Sequence, residues 1–503
     1  MWKLRKLFWD LLLTLKFRFN KPRAVPLPPD QERRVAPIPL DERYPSVPIR
    51  NIPVADHLPA DETDKGRLRF IRFQTWLYRH YSLNRPGLGP IDEDPFVVVS
   101  KAYPRLHRKV LKAPVLPKEY AEPVELGEVA VAGPYACYLK RGDDGVYDWD
   151  FRHLAKYEHH AGLRSLACRV VFRPDDGGKR LRAVEIDSEL GVSRPGDADW
   201  PLARRIALGA ATNDLSIVRH FNWIHLTCVS NVATVTRNNL PGDHPLRRLL
   251  WPHTWGTHYS NELVTDIMLM PGGDFETVFS FTHRGLCDLV SESYGEYRIS
   301  VIEPQADVKD RGLDKSGLDL PSFQNRNAHW QVMHDHACRY LELYYKSDDQ
   351  VAEDEYVQAW LRELDERIPN GIRKWLEKDP LGVDELARLV AGFIYLGSVE
   401  HEVLGTGLWN YQLWQQVQPT RIYASGQRES IDVFQRLVNY NFILNVHRTE
   451  LCSDFSPMGL DLPAKKAFHD FKRDLENLQA KLDREPYAAW KVCPRILESG
   501  VNG

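Results

Sequence analysis

The sequence predicts a mainly α protein with a small antiparallel β element ahead of a helical body, and three observations carry that prediction. Beyond Trp200 the apolar residues recur at helical spacing; in Asn213 to Thr236 they are Leu215, Ile217, Val218, Phe221, Trp223, Ile224, Leu226, Val229, Val232 and Val235, uninterrupted by Pro or Gly, so the stretch reads as a long buried helix. Pro241, Pro245, Pro252, Pro271, Pro304, Pro321, Pro369, Pro380 and Pro419 then punctuate the region. Upstream, Leu166 to Val171 and Leu181 to Ile186 alternate apolar and polar residues around Asp175-Asp176-Gly177-Gly178, a hairpin signal.

Taken in order, Met1 to Asn20 interleaves Trp2, Leu4, Leu7, Phe8, Leu11, Leu12, Leu15 and Phe19 with Lys3, Arg5, Lys6, Lys16 and Arg18. Asp10 breaks the apolar run and no small-residue cleavage site follows, which argues against a secretory signal. A basic amphipathic helix over residues 1–23 remains, lying on an anionic membrane surface or docked on its own protein. Residues 24–64 are rich in Pro and charge and read as an extended arm or linker. From Lys65 to Tyr81 helical spacing returns, and turn signals follow at Arg85 to Pro95. Residues 65–503 are expected to form one catalytic domain.

Hydrophobic residues make up 43% and charged residues 27%, which excludes wholesale disorder. The net charge of -3 gives no reason to expect nucleic acid as a partner. Seven cysteines are scattered without a Cys-x-x-Cys pair, a usage that suits free thiols in a reducing compartment. No run of about 18 uncharged apolar residues is present. Together these place the protein in the cytoplasm, free or peripheral at a membrane.

Within the long helix stand His220 and His225. On an ideal α-helix a five-residue separation turns two side chains about 140° apart. A single π-bulge, whose hydrogen bonds run from i to i+5, brings such a pair onto nearly one face, and these bulges concentrate at functional sites. The pair is then either a pair of metal ligands or two unrelated core histidines. His334-Asp335-His336 is less suited to a metal: its i, i+2 spacing points the rings apart, so these read as surface or core polar residues.

The surrounding motifs resemble the lipoxygenases, non-haem iron dioxygenases of polyunsaturated fatty acids. Trp200-Pro-Leu-Ala-Arg204 stands twenty residues before His220, where the family has Trp-x-x-Ala-Lys. Leu240-Pro-Gly-Asp-His244-Pro245, then Leu249-Leu250-Trp-Pro252-His253 and Asn261, resembles its Leu-Pro-x-x-His-Pro…Leu-x-x-Pro-His…Asn run. Tyr340-Leu-Glu-Leu-Tyr344-Tyr345-Lys-Ser-Asp348 is similar to its Tyr-Val-x-x-Tyr-Tyr-x-x-Asp segment, and His401 matches its third iron-binding histidine. The resemblance runs from about Tyr138 to the C-terminus. The family's amino-terminal β-sandwich, which helps docking on membranes, has no counterpart here, and the 1–23 helix is expected to take its place.

The resemblance implies a helical domain around a long bulged helix, and a metal held by His220, His225, His401 and the terminal carboxylate, here that of Gly503. Such a nitrogen and oxygen donor set with open positions suits iron, with manganese as the alternative. It implies hydrogen-atom removal from a methylene between two cis double bonds, and O2 capture by the resulting radical to give a fatty-acid hydroperoxide. Val264, Met268 and Phe275 match pocket-lining positions, and core packing explains the same apolar residues. Asn261 is the candidate partner for a ligand imidazole's other nitrogen, or a capping or packing residue. Two positions depart from the pattern. Gly405 stands where the family places an Asn or His ligand, and the chain ends in Gly rather than Ile. Glu400 and Glu402 flank His401; they face solvent or a salt bridge, or one replaces the missing ligand. The departures keep two other functions open: the same site oxidising or rearranging a different amphiphile, and a non-catalytic lipid-binding relative.

Overall fold

The structure, a computed structural model, describes residues 24–80 (except 31), 125–407 (except 143–144, 176, 374 and 377–380), 414–427 (except 416) and 449–501 (except 487 and 489), together with Leu4, Leu7, Phe8 and Leu11. The expected turns at Arg85 to Pro95 lie outside the described residues, as does Gly503.

Among the described residues, seven strands form two antiparallel sheets. Strands β1 (Pro37–Pro39) and β2 (Pro53–Ala55) pair within the N-terminal arm. The larger sheet is a sequential meander of β3 (Lys140–Arg141), β4 (Tyr147–Asp150), β5 (Cys168–Pro174), β6 (Leu181–Ser188) and β7 (Gly191–Ser193). The expected hairpin is β5 and β6, closed at Asp175, whose N–H donates to Arg180 O over 2.8 Å. One face of this sheet is sealed by Trp149, Phe172, Val170 and Ile186, all buried, with Trp149 and Phe172 edge to face at 5.3 Å.

The helical body is built on a helix that runs through its middle, residues 200–239. Pro201 in its first turn needs no intrahelical donor there, and its ring presets the helical φ. The helix ends at Leu240, which is extended because Pro241 follows it. Its central part differs from the single bulge anticipated: Leu215–Val229, fifteen residues, is π-helical throughout. The wider winding is held from outside by side chains. Asn222 donates to Val290 O and to Ser293 Oγ, both over 2.9 Å, Trp223 Nε1 donates to Ser293 O, and Thr227 donates to Asn222 Oδ1. Buried amides satisfied in this way fix one register, because any slip leaves them unpaired. The neighbouring helix, His283–Ser293, is thus the brace for the histidine segment.

The arm lies on this body through a buried charge cluster. Arg237, near the end of the long helix, reaches Glu32 at 2.6 Å, Asp61 at 2.8 Å and Glu62 at 2.6 Å. Arg247 also binds Glu32, and both guanidiniums lie over the Trp251 ring. The Arg237 charge, opposing the cost of burial, holds the Glu62 carboxyl down at about 2. Helix Lys65–His80 follows, and its Arg72 Nε donates to Asp266 over 2.7 Å.

Candidate metal centre

The π winding turns His220 and His225 inward together. Their Nε2 atoms are 3.3 Å apart, with the rings nearly perpendicular and centroids 4.8 Å apart. His401 arrives from a second helix, Val383–Tyr395 continued by π turns at Leu396–Glu400 and Val403–Gly407. Its Nε2 lies 3.0 Å from that of His225, and its ring is 4.9 Å from each of the other two. A cation about 2.1 Å from each nitrogen sets neighbouring nitrogens about 3.0 Å apart at right angles and about 3.4 Å apart at tetrahedral angles. The observed spacings fall in that interval, so the donor set fits a metal ion without rearrangement.

What faces the far nitrogens decides which nitrogen is free. His225 Nδ1 points at Asn261 Oδ1 at 3.4 Å, and Asn261 Nδ2 donates back to His225 O over 3.2 Å. Both contacts use the same amide, which orients the ring as well as selecting its tautomer. His401 Nδ1 lies 3.5 Å from Glu402 Oε1, and His401, Glu402 and Glu498 bring ligand atoms within 4.8 Å of one another. A carboxylate behind an imidazole favours the proton on Nδ1 and leaves Nε2 as a lone pair. With Nδ1 protonated in both rings, the lone pairs of Nε2 converge, an arrangement that a bound cation relieves.

Glu498 belongs to the C-terminal tail, and the tail is pinned along its length. Leu451 N donates to Leu497 O over 2.9 Å and Ser499 N to Thr449 O over 2.8 Å. His253 Nδ1 donates to Ser499 O over 2.6 Å, and burial pushes the His253 imidazole down to about 4, so it stays neutral in that role. Gly500 lies so close to His253 that a Cβ would sit 2.2 Å from its carbonyl oxygen. His244 caps its helix by accepting from Leu246 N at 3.2 Å. His334 stacks on Trp330 and His336 on Phe471, so neither joins a metal cluster among the described residues.

The two glutamates beside His401 separate clearly, and neither faces solvent. Glu400 accepts from Tyr395 OH over 2.8 Å and lies 3.0 Å from Arg326 Nε. Glu402 addresses Nδ1 of His401, the nitrogen turned away from the converging Nε2 atoms. Gly405 has a steric reason to lack a side chain: a Cβ there would stand 2.7 Å from His220 Nε2 and 3.0 Å from Cε1.

A model of the lipoxygenase family matches residues 141–441 of this chain. The chain belongs to the lipoxygenase family. It is 26% identical over 225 residues to the polyunsaturated fatty acid lipoxygenase ALOX15B of Homo sapiens, covering 43% of this chain and 32% of that protein. To the hydroperoxide isomerase ALOXE3 of Homo sapiens it is 24% identical over 244 residues, covering 46% of this chain and 33% of that protein. These matches thus span about a third of the length of each relative. The crystal structure of coral 8R-lipoxygenase superposes with a TM-score of 0.75 at 16% identity, over 99% of this chain and 81% of that one. The lipoxygenase fold is the arrangement described above.

Of the three apolar residues expected at a pocket in this lipoxygenase chain, Phe275 is joined to the histidine site through Phe221. Val264 closes helix Thr257–Val264, Met268 lies in the π turn Thr265–Leu269 and Phe275 in helix Asp274–Val278; all three are buried. Phe275 meets Phe221 edge to face at 5.3 Å, and Phe221 is 6.0 Å from the His225 ring, so an apolar surface leads to the histidines. Phe221 and Glu498 were not anticipated as parts of the site. Phe221 was visible as the residue following His220; Glu498, 97 positions after His401, carries no spacing signal.

Proposed function

We propose that this protein is a lipoxygenase-type dioxygenase that inserts O2 into a polyunsaturated fatty acid to give a hydroperoxide, with iron, or manganese, held by His220, His225 and His401. The observation that carries this reading is the convergence of three imidazoles, with His225 Nε2 3.3 Å from that of His220 and 3.0 Å from that of His401. The bound metal supplies one-electron redox chemistry that removes a hydrogen atom from a doubly allylic methylene. The chain's own residues do the rest. Asn261 and the Glu402 carboxylate face the Nδ1 atoms of His225 and His401, selecting the tautomer that leaves Nε2 free and orienting the rings, with Glu498 close by. The apolar wall of Phe221, Phe275, Met268 and Val264 binds the hydrocarbon and excludes water. The tail is pinned at Ser499 by Thr449 and His253, and in this reading the Gly503 carboxylate supplies an oxygen donor.

The reading predicts about one iron per chain and the growth of conjugated-diene absorbance on incubation with linoleate or arachidonate under O2. Metal content unchanged in His220→Ala, His225→Ala and His401→Ala would refute the site. Iron at one equivalent without diene would refute the substrate. Gly405 favours a second reading, in which the same site oxidises or rearranges a different amphiphile, because a missing ligand alters coordination number and potential. Oxygen consumption across a substrate panel separates the two.

The protein acts at a membrane in this proposal. Leu4, Leu7, Phe8 and Leu11 are helical and 70%, 65%, 48% and 57% exposed, an i, i+3, i+4, i+7 stripe amid basic residues. Deleting residues 1–21 is expected to weaken sedimentation with anionic liposomes, more at low salt than at high salt. Unchanged sedimentation would make the segment structural.

A further inference from the structure

Helix Lys65–His80 has two unlike faces. Leu68 is buried and the Arg67 guanidinium lies over the Tyr259 ring at 5.5 Å, so this side packs on the body. Lys65, Arg69, Arg72, Phe73 and Trp76 fall within about 100° of one another on the helical circle, and all five are exposed. Phe73 and Trp76 are each 48% exposed, with ring centroids 6.2 Å apart and planes 23° apart, so the two rings form one apolar patch. A lone exposed apolar side chain needs no explanation; an adjacent aromatic pair rimmed by charge asks for a partner.

The charge at the rim has one sign. The helix holds five basic residues, Lys65, Arg67, Arg69, Arg72 and Arg79, and no Asp or Glu. Two acids of the body meet it, Asp266 and Glu262, and both are engaged: Arg72 binds Asp266 and lies 3.7 Å from Glu262, which Arg43 also binds. Lys65 and Arg69 form no ion pair among the described residues, so the surface beside the aromatic pair is positive. Aromatic rings flanked by Lys and Arg suit the boundary between lipid head groups and acyl chains, where the rings enter and the cations meet anionic head groups. The same combination of exposed apolar and basic residues recurs at Leu4 to Leu11. The position of the helix agrees with this partner: Arg72 ties it to Glu262 and Asp266, on the segments that carry Val264 and Met268 of the apolar wall.

We propose that the outer face of helix Lys65–His80 docks on an anionic phospholipid bilayer, with Phe73 and Trp76 entering the head-group boundary and Lys65 and Arg69 meeting the lipid anions. Docking by this face sets the Val264 and Met268 wall beside the bilayer from which an apolar substrate is drawn. The choice of partner rests on the reading that the protein works on lipid at a membrane, but the face is a different one from residues 1–23.

The test is sedimentation of the metal-loaded full chain with vesicles of phosphatidylcholine mixed with phosphatidylserine, and of phosphatidylcholine alone. Phe73→Ser/Trp76→Ser is expected to weaken binding to the mixed vesicles by about 10- to 100-fold, because each half-exposed ring brings about half of what full burial of such a side chain gives. Arg69→Gln is expected to weaken it about fivefold, the worth of one basic residue at an anionic surface, and to leave binding to phosphatidylcholine alone unchanged. Trp76→Phe is expected to retain binding, and thermal melts of all these variants are expected to match wild type because the substituted residues are exposed. Equal sedimentation of wild type and Phe73→Ser/Trp76→Ser overturns the proposal, as does a loss in that variant of self-association or of oligothymidylate binding with vesicle binding unchanged. Binding lost only on deletion of residues 1–21 overturns this face and leaves the earlier membrane reading; binding lost only in Phe73→Ser/Trp76→Ser supports this face and removes the earlier one. Conjugated-diene formation enters neither measurement, so the oxygenation reading is judged separately.

Discussion

Replacing Gly405 by Ala tests the metal centre at the position where a further side-chain ligand was expected from the sequence. The added Cβ would begin 2.7 Å from His220 Nε2, and ordinary contact starts at 3.4 Å, so the ring must retreat by about 0.7 Å. An imidazole at the far end of a side chain can make that move, so the fold loses only about 1 to 3 kcal/mol for the overpacking. The metal cannot follow, because ligand distances in such sites hold to about ±0.2 Å. Two imidazoles remain in place out of three. The expected result is a protein that melts cooperatively, within a few degrees of wild type, yet loses its metal at least tenfold more readily to a chelator. The assay is metal content by mass spectrometry after graded chelation, with a thermal melt on the same samples. Gly405→Asn is expected to fail in the same way, because its Cβ starts from the same place. A Gly405→Ala protein with wild-type metal retention would refute the argument, since His220 would then lie elsewhere in the metal-bound state.

Asn261→Ala removes the only amide addressed to both ends of His225, and metal affinity is expected to fall about 10- to 100-fold with little change in melting, measured by competitive chelation. Arg237→Ala leaves the fully buried Glu62 without its main counter-charge, so denaturant unfolding is expected to show a loss of about 3 to 5 kcal/mol and early protease cleavage within residues 24–64. His253 takes up a proton only near pH 4 in the folded protein and near its ordinary 6.5 when unfolded, so the unfolded chain binds more protons between those values. Its contribution is complete above pH 6.5 and declines as pH falls, by about 3 kcal/mol at pH 4. In His253→Asn the pH dependence of unfolding free energy between 4.5 and 6.5 is expected to flatten by about 1.4 kcal/mol per pH unit. An unaltered slope would place the titrating group elsewhere.

Much of the centre was readable before any coordinates, because its signals are local or ordered along the chain. The five-residue separation of His220 and His225 required a departure from α winding, and apolar residues on both sides required burial. The hairpin around Asp175 was legible for the same reason, since alternation and a Gly-rich turn are short-range properties. Three features were not legible. The fifteen-residue extent of the π segment is tied to Asn222 and Trp223 finding partners on the His283–Ser293 helix, a tertiary matter. Glu498 approaches His401 only because His253 and Thr449 hold the tail down. Arg219 looks like any basic residue in sequence; that the fold lays it over the Trp223 and Tyr138 rings is again a tertiary matter.

The π turns have one further regularity. They occur at Leu215–Val229, Thr265–Leu269, Leu396–Glu400 and Val403–Gly407, the segments that carry or flank His220, His225, Met268 and His401. Each replaces i→i+4 bonds by i→i+5 bonds, a winding that is rare in isolation and survives only where surroundings impose it. The gain is geometric. In an α-helix a histidine at i shares its face with i+3 and i+4, and a residue at i+5 points elsewhere. Spacing the ligands by five leaves the intervening Phe221, Trp223 and Ile224 free to face three other walls: the substrate side, the bracing helix and the crevice beside Arg219. His401 obtains the same freedom from a π turn on either side. One winding therefore gathers the donors and also partitions the space around them, so a substitution that restored α winding here would disturb the metal centre and the walls packed around it together.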